Sequence, residues 1–90
     1  MQRGINNMII EIFNAQDDTK FLHEIEHFEM IHSQNAYLFM NQETLNELTI
    51  FFPLKIYVET KQDSDSVFVY YCGRRVYEND TLKFGEVEIR

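Results

Sequence analysis

The chain has 90 residues, 44% of them apolar and 14% aromatic, with 15 acids against eight bases and a net charge of −7. That length makes one domain, which buries roughly 60–65% of the surface its unfolded chain exposes and leaves little room for a deep, enclosed active site. Such an acidic surface repels phosphate backbones and anionic lipid heads, so direct nucleic-acid and membrane binding are not expected.

The acid excess is uneven. Residues 1–50 carry two bases against eight acids, whereas residues 51–90 carry six against seven. The single cysteine, Cys72, has no partner for an internal disulfide, and a secreted domain of this size usually needs several. With no charged-then-apolar leader and no membrane-length apolar run, the expectation is a reducing cytoplasm.

In chain order, Met8 to Phe13 is β-branched and apolar apart from Glu11, and reads as a strand. Asn14 to Asp18 supply turn chemistry, with Asp17 or Asp18 placed to cap a following helix. From about 18 to 33 the period changes. Phe21, Ile25, Phe28 and His32, with Leu22 beside them, make one stripe of an amphipathic helix. Glu24, Glu26 and Glu29 fall at its margins or beyond.

Ala36 to Met40 is apolar at successive positions, as in an interior strand covered on both sides. Asn41 then caps a short helix, about 42–49, that buries Leu45 and Leu48, and Pro53 stops it. The remainder reads as antiparallel sheet. Leu54, Ile56 and Val58 alternate with Lys55, Tyr57 and Glu59, giving one wet face. Lys61 to Ser66 is a polar loop. Val67 to Cys72 is again apolar on both faces, and Gly73 permits a tight turn or bulge before Arg75 to Glu78. Asn79-Asp80 turns once more, and Glu86 to Arg90 points Val87 and Ile89 inward. The expected fold is α+β, a mostly antiparallel sheet with both helices packed on it. The first strand, helix and second strand suit a parallel crossover.

One motif has the form of an enzyme site. His23-Glu24-Ile25-Glu26-His27 fits H-E-x-x-H and resembles the zinc-binding helix of zincin metalloproteases. In that family two histidines one helical turn apart share Zn²⁺, and the intervening Glu takes a proton from the bound water. By position, His23 and His27 would be the ligands and Glu24 the base. The stripe argues otherwise: with Phe21, Ile25 and Phe28 inward, both imidazoles face water. Glu26 occupies an interior position that the family keeps uncharged. His32 lies one residue short of the family's third-ligand spacing, and nothing singles out Glu43 or Glu47 as a distant ligand. The expectation is a solvated helix face with no cofactor, although such a pair suits weak surface binding of Zn²⁺ or Ni²⁺.

Other candidates concern contacts. Glu24, Glu26 and Glu29, with Asp17, Asp18, Glu43 and Glu47, form an acidic set that would solubilise the domain or imitate a row of phosphates. Arg74-Arg75 reads as a solvated pair at a turn, with an anion or a partner carboxylate as the functional alternative. Cys72 reads as a buried inert thiol rather than a nucleophile beside arginine. Tyr57, Tyr70, Tyr71 and Tyr77 divide between core and interface anchors.

From Tyr37 onward the stretches YLFMNQETLNEL, YYCGRRVYEND and LKFGEVEIR resemble sequences of tailed phages of Gram-positive bacteria. In the major capsid proteins of tailed phages, a strand ending in Met-Asn precedes a short helix, and later come a Gly-containing strand and a polar turn. Met40-Asn41, Gln42 to Leu48, Gly73 to Tyr77 and Asn79-Asp80 follow that order. The long spine helix and extended arm of that family have no counterpart, so the resemblance implies a small phage or prophage accessory protein with a related sub-fold. No functional residue carries over. The leading expectation is a non-enzymatic protein-binding or assembly module, with self-association through uncovered strand edges left open. An acidic inhibitor of a host nuclease or DNA-binding protein, and a minimal zinc hydrolase built on HEIEH, are the alternatives.

Overall fold

A computed structural model of the chain describes residues 8–12, 18–61 and 66–90. The side-chain cap expected from Asp17 or Asp18, Phe13 of the first strand, and positions 62–65 of the polar loop lie outside the described residues. The order is β1 (Met8–Glu11), α1 (Asp18–His32), β2 (Leu38–Met40), α2 (Gln42–Phe51), a 3₁₀ turn (Pro53–Lys55), β3 (Ile56–Thr60), β4 (Val67–Tyr71), β5 (Arg74–Glu78) and β6 (Glu86–Ile89). Among the described residues, six strands form one sheet in the order β1-β6-β2-β5-β4-β3. Every neighbouring pair is antiparallel except β2 with β5. The α+β architecture read from the sequence is the one present.

Helix α1 forms where the sequence places its stripe. Phe21, Ile25 and Phe28 are buried, and His32 lays its ring against Phe28 at 4.2 Å. The helix ends because Ser33 turns left-handed (φ 52°), and the Gln34 N–H donates back to the Glu29 carbonyl. That closure satisfies a carbonyl the last turn would leave bare. Helix α2 begins at Asn41, whose side chain accepts from the Thr44 N–H at 2.7 Å and from the Thr44 hydroxyl at 2.8 Å. The same Asn41 donates through Nδ2 to the Leu82 carbonyl, and Thr44 Oγ1 accepts from the Gly85 N–H. The cap thus ties α2 to the loop preceding β6. Removing an N-cap of this kind costs about 1 kcal/mol.

Leu38, Met40, Val76, Tyr71, Val87 and Ile89 point to one side of the sheet and join the helix residues Ile25, Phe28 and Leu48 in a single buried cluster. Strand parity explains the choice, since alternate residues face opposite sides. Leu38 lies level with Ile89 on one neighbour and with Val76 on the other. Strands β1 and β2 run in the same direction, as the crossover requires, but β6 sits between them.

Three local expectations change. Leu54 does not alternate inward; it is 99% exposed, because Pro53 opens a 3₁₀ turn before the strand starts at Ile56, and Val58, on the edge strand β3, is 52% exposed. Cys72 is half-buried in a two-residue hairpin turn. It and Gly73 both have positive φ (49° and 84°), so Tyr71 and Arg74 close the hairpin. Such a turn matches the strand twist and demands left-handed backbone at both centres. The third change decides where function is sought. Strands β2 and β4 are apolar on both faces, yet among the described residues the helices cover only one.

An open aromatic face opposite the helices

The uncovered face is built from the alternate positions of the same strands. Across the sheet, Ile9 lies level with Glu88, Glu88 with Phe39, and Phe39 with Tyr77. Phe68 lies level with Glu59 at the far edge. One step along, Tyr37 meets Arg90 in a reciprocal backbone pair, and Arg75, Tyr70 and Tyr57 continue the row. Six aromatic side chains therefore occupy one side of the sheet. Tyr37, Tyr57 and Tyr77 are exposed, while Phe39, Phe68 and Tyr70 are half-buried against their neighbours.

These rings touch one another and hold cations. Phe39 stacks on Tyr77 at 5.2 Å with 19° between planes, and Tyr37 and Tyr57 lie about one ring further out, 6.1 Å from Tyr77 and 6.0 Å from Tyr70. The Arg75 guanidinium lies over Phe68 at 4.1 Å and Tyr77 at 4.7 Å. Arg90 covers Phe39 at 4.2 Å while pairing with Glu88 at 2.9 Å, and Lys61 reaches over Phe68 at 5.4 Å. Each cation is drawn to the negative ring face, and the flat guanidinium also stacks on it. Arg75 Nε is buried without a hydrogen-bond partner among the described residues. The face thus holds a fixed, partly desolvated arginine among large rings, the combination enriched where proteins anchor one another.

The neighbouring arginine is used differently. Arg74 faces the helices and meets Glu29 of α1 through two contacts, Nη2 to Oε1 at 2.7 Å and Nε to Oε2 at 3.1 Å. Glu29 also accepts from the Ala36 N–H, and Arg74 donates to the Cys72 carbonyl. The Arg74 hydrogen bond holds the Glu29 carboxyl below its ordinary range, against the opposing effect of burial, with help from the Ala36 N–H. Arg74 is raised by the same bond. Of the contact candidates Glu24, Glu26, Glu29, Arg74 and Arg75, Glu29 and Arg74 are therefore engaged with each other, pinning α1 to the sheet. Glu26 is exposed and Glu24 half-buried on α1, and Arg75 belongs to the open face.

His23 and His27 are both exposed, on the side of α1 away from Phe21, Ile25 and Phe28. Among the described residues, no three His, Cys, Asp or Glu side chains are grouped to hold a metal ion. No described helix is long and apolar enough to cross a membrane. Of the four tyrosines weighed as anchors, Tyr71 is fully buried against Phe21 at 5.0 Å, and burial raises its hydroxyl pKa. Tyr57, Tyr70 and Tyr77 lie on the open face. Phe39, Phe68 and Tyr37 did not stand out in the sequence as contact residues. The signal for them was the two-sided apolarity of their strands in a chain with helices enough for one side only.

No protein-family model matches the chain, and no curated protein or solved structure matches it.

Proposed function

We propose that this chain is a non-enzymatic protein-binding or assembly module that works through the open aromatic face. One observation carries the reading. Strands β2 and β4 are apolar on both sides, and the side bearing Phe39, Phe68, Tyr70 and Tyr77 has no helix over it among the described residues. Contiguous exposed apolar surface on a small domain marks a contact site. Tyr and Arg are the residues most often found to anchor such contacts.

A phage or prophage origin, and with it the cytoplasm of a bacterial host, rests on the resemblance of residues 37–90. Its motifs are also joined in space. Met40 accepts from the Asn79 N–H, and Asn41 binds the Leu82 carbonyl. The zinc-hydrolase reading lacks a sheltered donor set around His23 and His27. The acidic-inhibitor reading loses Glu29 to Arg74. Neither direct nucleic-acid binding nor a cofactor enters the proposal.

Photo-crosslinking tests it. A benzoylphenylalanine at Tyr77 should give a discrete protein adduct in host cells, and one at Met30, exposed on α1, should not. Adducts from position 30 alone would move the contact surface to the helices. Zinc retained after chelation, with hydrolysis lost in Glu24→Gln, would replace the reading with an enzyme.

A further inference from the structure

The open face is also where the charge of this acidic protein comes closest to balance. On the helix side, α1 and α2 present Glu24, Glu26, Glu43 and Glu47 against Lys20. On the sheet side, Lys61, Arg75 and Arg90 stand among Glu11, Glu59, Glu86 and Glu88. Two copies meeting helix to helix bring like charges together. Two copies meeting sheet to sheet keep the acidic layers outermost and far apart. We infer that the occupant of the open face is a second copy of this chain, giving a two-fold dimer in which the uncovered sheets pack face to face. This rests on the reading of the face as a protein-contact surface.

The face is self-complementary about an axis running along the strands between β2 and β5. Such a rotation sets β5 over the partner's β2, β4 over its β6 and β3 over its β1, by the strand order. Tyr77 then meets the Phe39 position, Tyr70 meets the Arg90 position, and Lys61 approaches the Glu11 position. Aromatic meets aromatic at the centre and guanidinium meets ring beside it, Lys61 meets Glu11 at the rim, and Phe68 meets the Glu88 that Arg90 holds while Glu59 meets Ile9. This is the self-matching that an isologous contact requires. The size sets the strength. Six strands at ~4.8 Å spacing and ~3.3 Å per residue make a flat area on the order of 400 Å². That is about half of the ~800 Å² per partner of a standard interface, the size of a small, concentration-dependent contact. Packing would follow the aligned geometry of two twisted sheets about 10 Å apart.

Sedimentation equilibrium of the full chain tests the inference. The wild type should sediment as a dimer at micromolar concentration. Tyr77→Glu should weaken association by at least about thirtyfold, the scale of an interface anchor, and Glu26→Lys on the helix side should not weaken it. Arg75→Glu provides a second disruption if Tyr77→Glu does not keep the far-ultraviolet dichroism of the wild type. Lys61→Glu and Glu11→Lys should each weaken the dimer, and the double variant should restore it. A wild type that stays monomeric at millimolar concentration overturns the inference, as does a dimer indifferent to both Tyr77→Glu and Arg75→Glu. A monomer whose Tyr77 crosslinker captures a different protein overturns self-pairing and keeps the contact reading. A monomer that binds labelled oligouridine through Tyr77 overturns both.

Discussion

Arg74 and Arg75 are consecutive in the chain and have opposite fates. Arg74 points to the helices and is fastened to Glu29 and the Cys72 carbonyl. Arg75 points to the uncovered side and rests on Phe68 and Tyr77. The same division runs through Leu38 and Phe39, and through Tyr71 and Tyr70. On one side of the sheet side chains are consumed by the fold. On the other, equally large side chains are assembled and left available. A small domain that spends six aromatic residues this way holds on its surface the material of a second core.

The sharpest way to break this comparison is to truncate adjacent residues on opposite sides. Leu38→Ala should cost about 3 kcal/mol in urea denaturation, since it opens a cavity at a fully buried position. Phe39→Ala, measured at concentrations where the chain is monomeric, should cost no more than about half of that and should abolish self-association instead. Equal losses of stability would mean that the two faces are not different in kind.

The arginine pair gives a smaller contrast. Arg74→Ala should cost roughly 2 kcal/mol, because its charged hydrogen bonds to Glu29 are mostly shielded from water. Arg75→Ala should cost about 1 kcal/mol, between the worth of a cation–ring contact in water and that of a desolvated one, while weakening the dimer.

Acid should reach the two sides unequally. Glu29 has a lowered pKa in the fold, chiefly through the Arg74 hydrogen bond. Its stabilisation is complete above the ordinary carboxylate pKa and is lost as pH falls through that value toward the lowered one. Glu29→Gln should be less stable near neutrality and should lose less stability than the wild type over that acid range. The exposed Glu78, raised by its hydrogen bond with Asp80, acts in the opposite direction, so a difference between wild type and Glu29→Gln isolates the helix clamp.

The least effect is expected on the outer face of α1. Replacing His23 and His27 together by Asn should change stability by no more than about 0.5 kcal/mol, as for exposed sites without a structural role. Any Zn²⁺ retained by the wild type should be weakly held, as dialysis and metal analysis would show.

Much of the covered side was legible in the sequence. The spacing of Phe21, Ile25 and Phe28 admits one inward face, and Asn41 followed by Pro53 brackets α2 closely. The open side was visible as composition but misread as geometry. Phe39, Phe68 and Tyr70 indicated coverage, and apolarity alone does not say whether the cover belongs to the same chain. Parity at Arg74 and Arg75 was hidden because it depends on the Cys72-Gly73 turn, and Cys is not a residue that signals left-handed backbone. The strand order was illegible for a different reason. It depends on β6 entering between β1 and β2, a pairing across most of the chain that no local pattern encodes.

That placement of β6 also dictates when the fold can be completed. Until residues 86–89 are in place, β1 has no neighbour to pair with, β2 lacks one flank, and the Asn41 cap lacks its anchor at Leu82. The β3–β4–β5 meander can zip early from pairings close in sequence, whereas joining it to the N-terminal strand waits on the most distant pairing among the described residues. Topologies of this sort fold slowly for their size. A late-closing gap beside an aromatic surface exposes the nascent chain to premature encounters, so brief dilution or a chaperone should raise the yield of refolding more than added salt or cold.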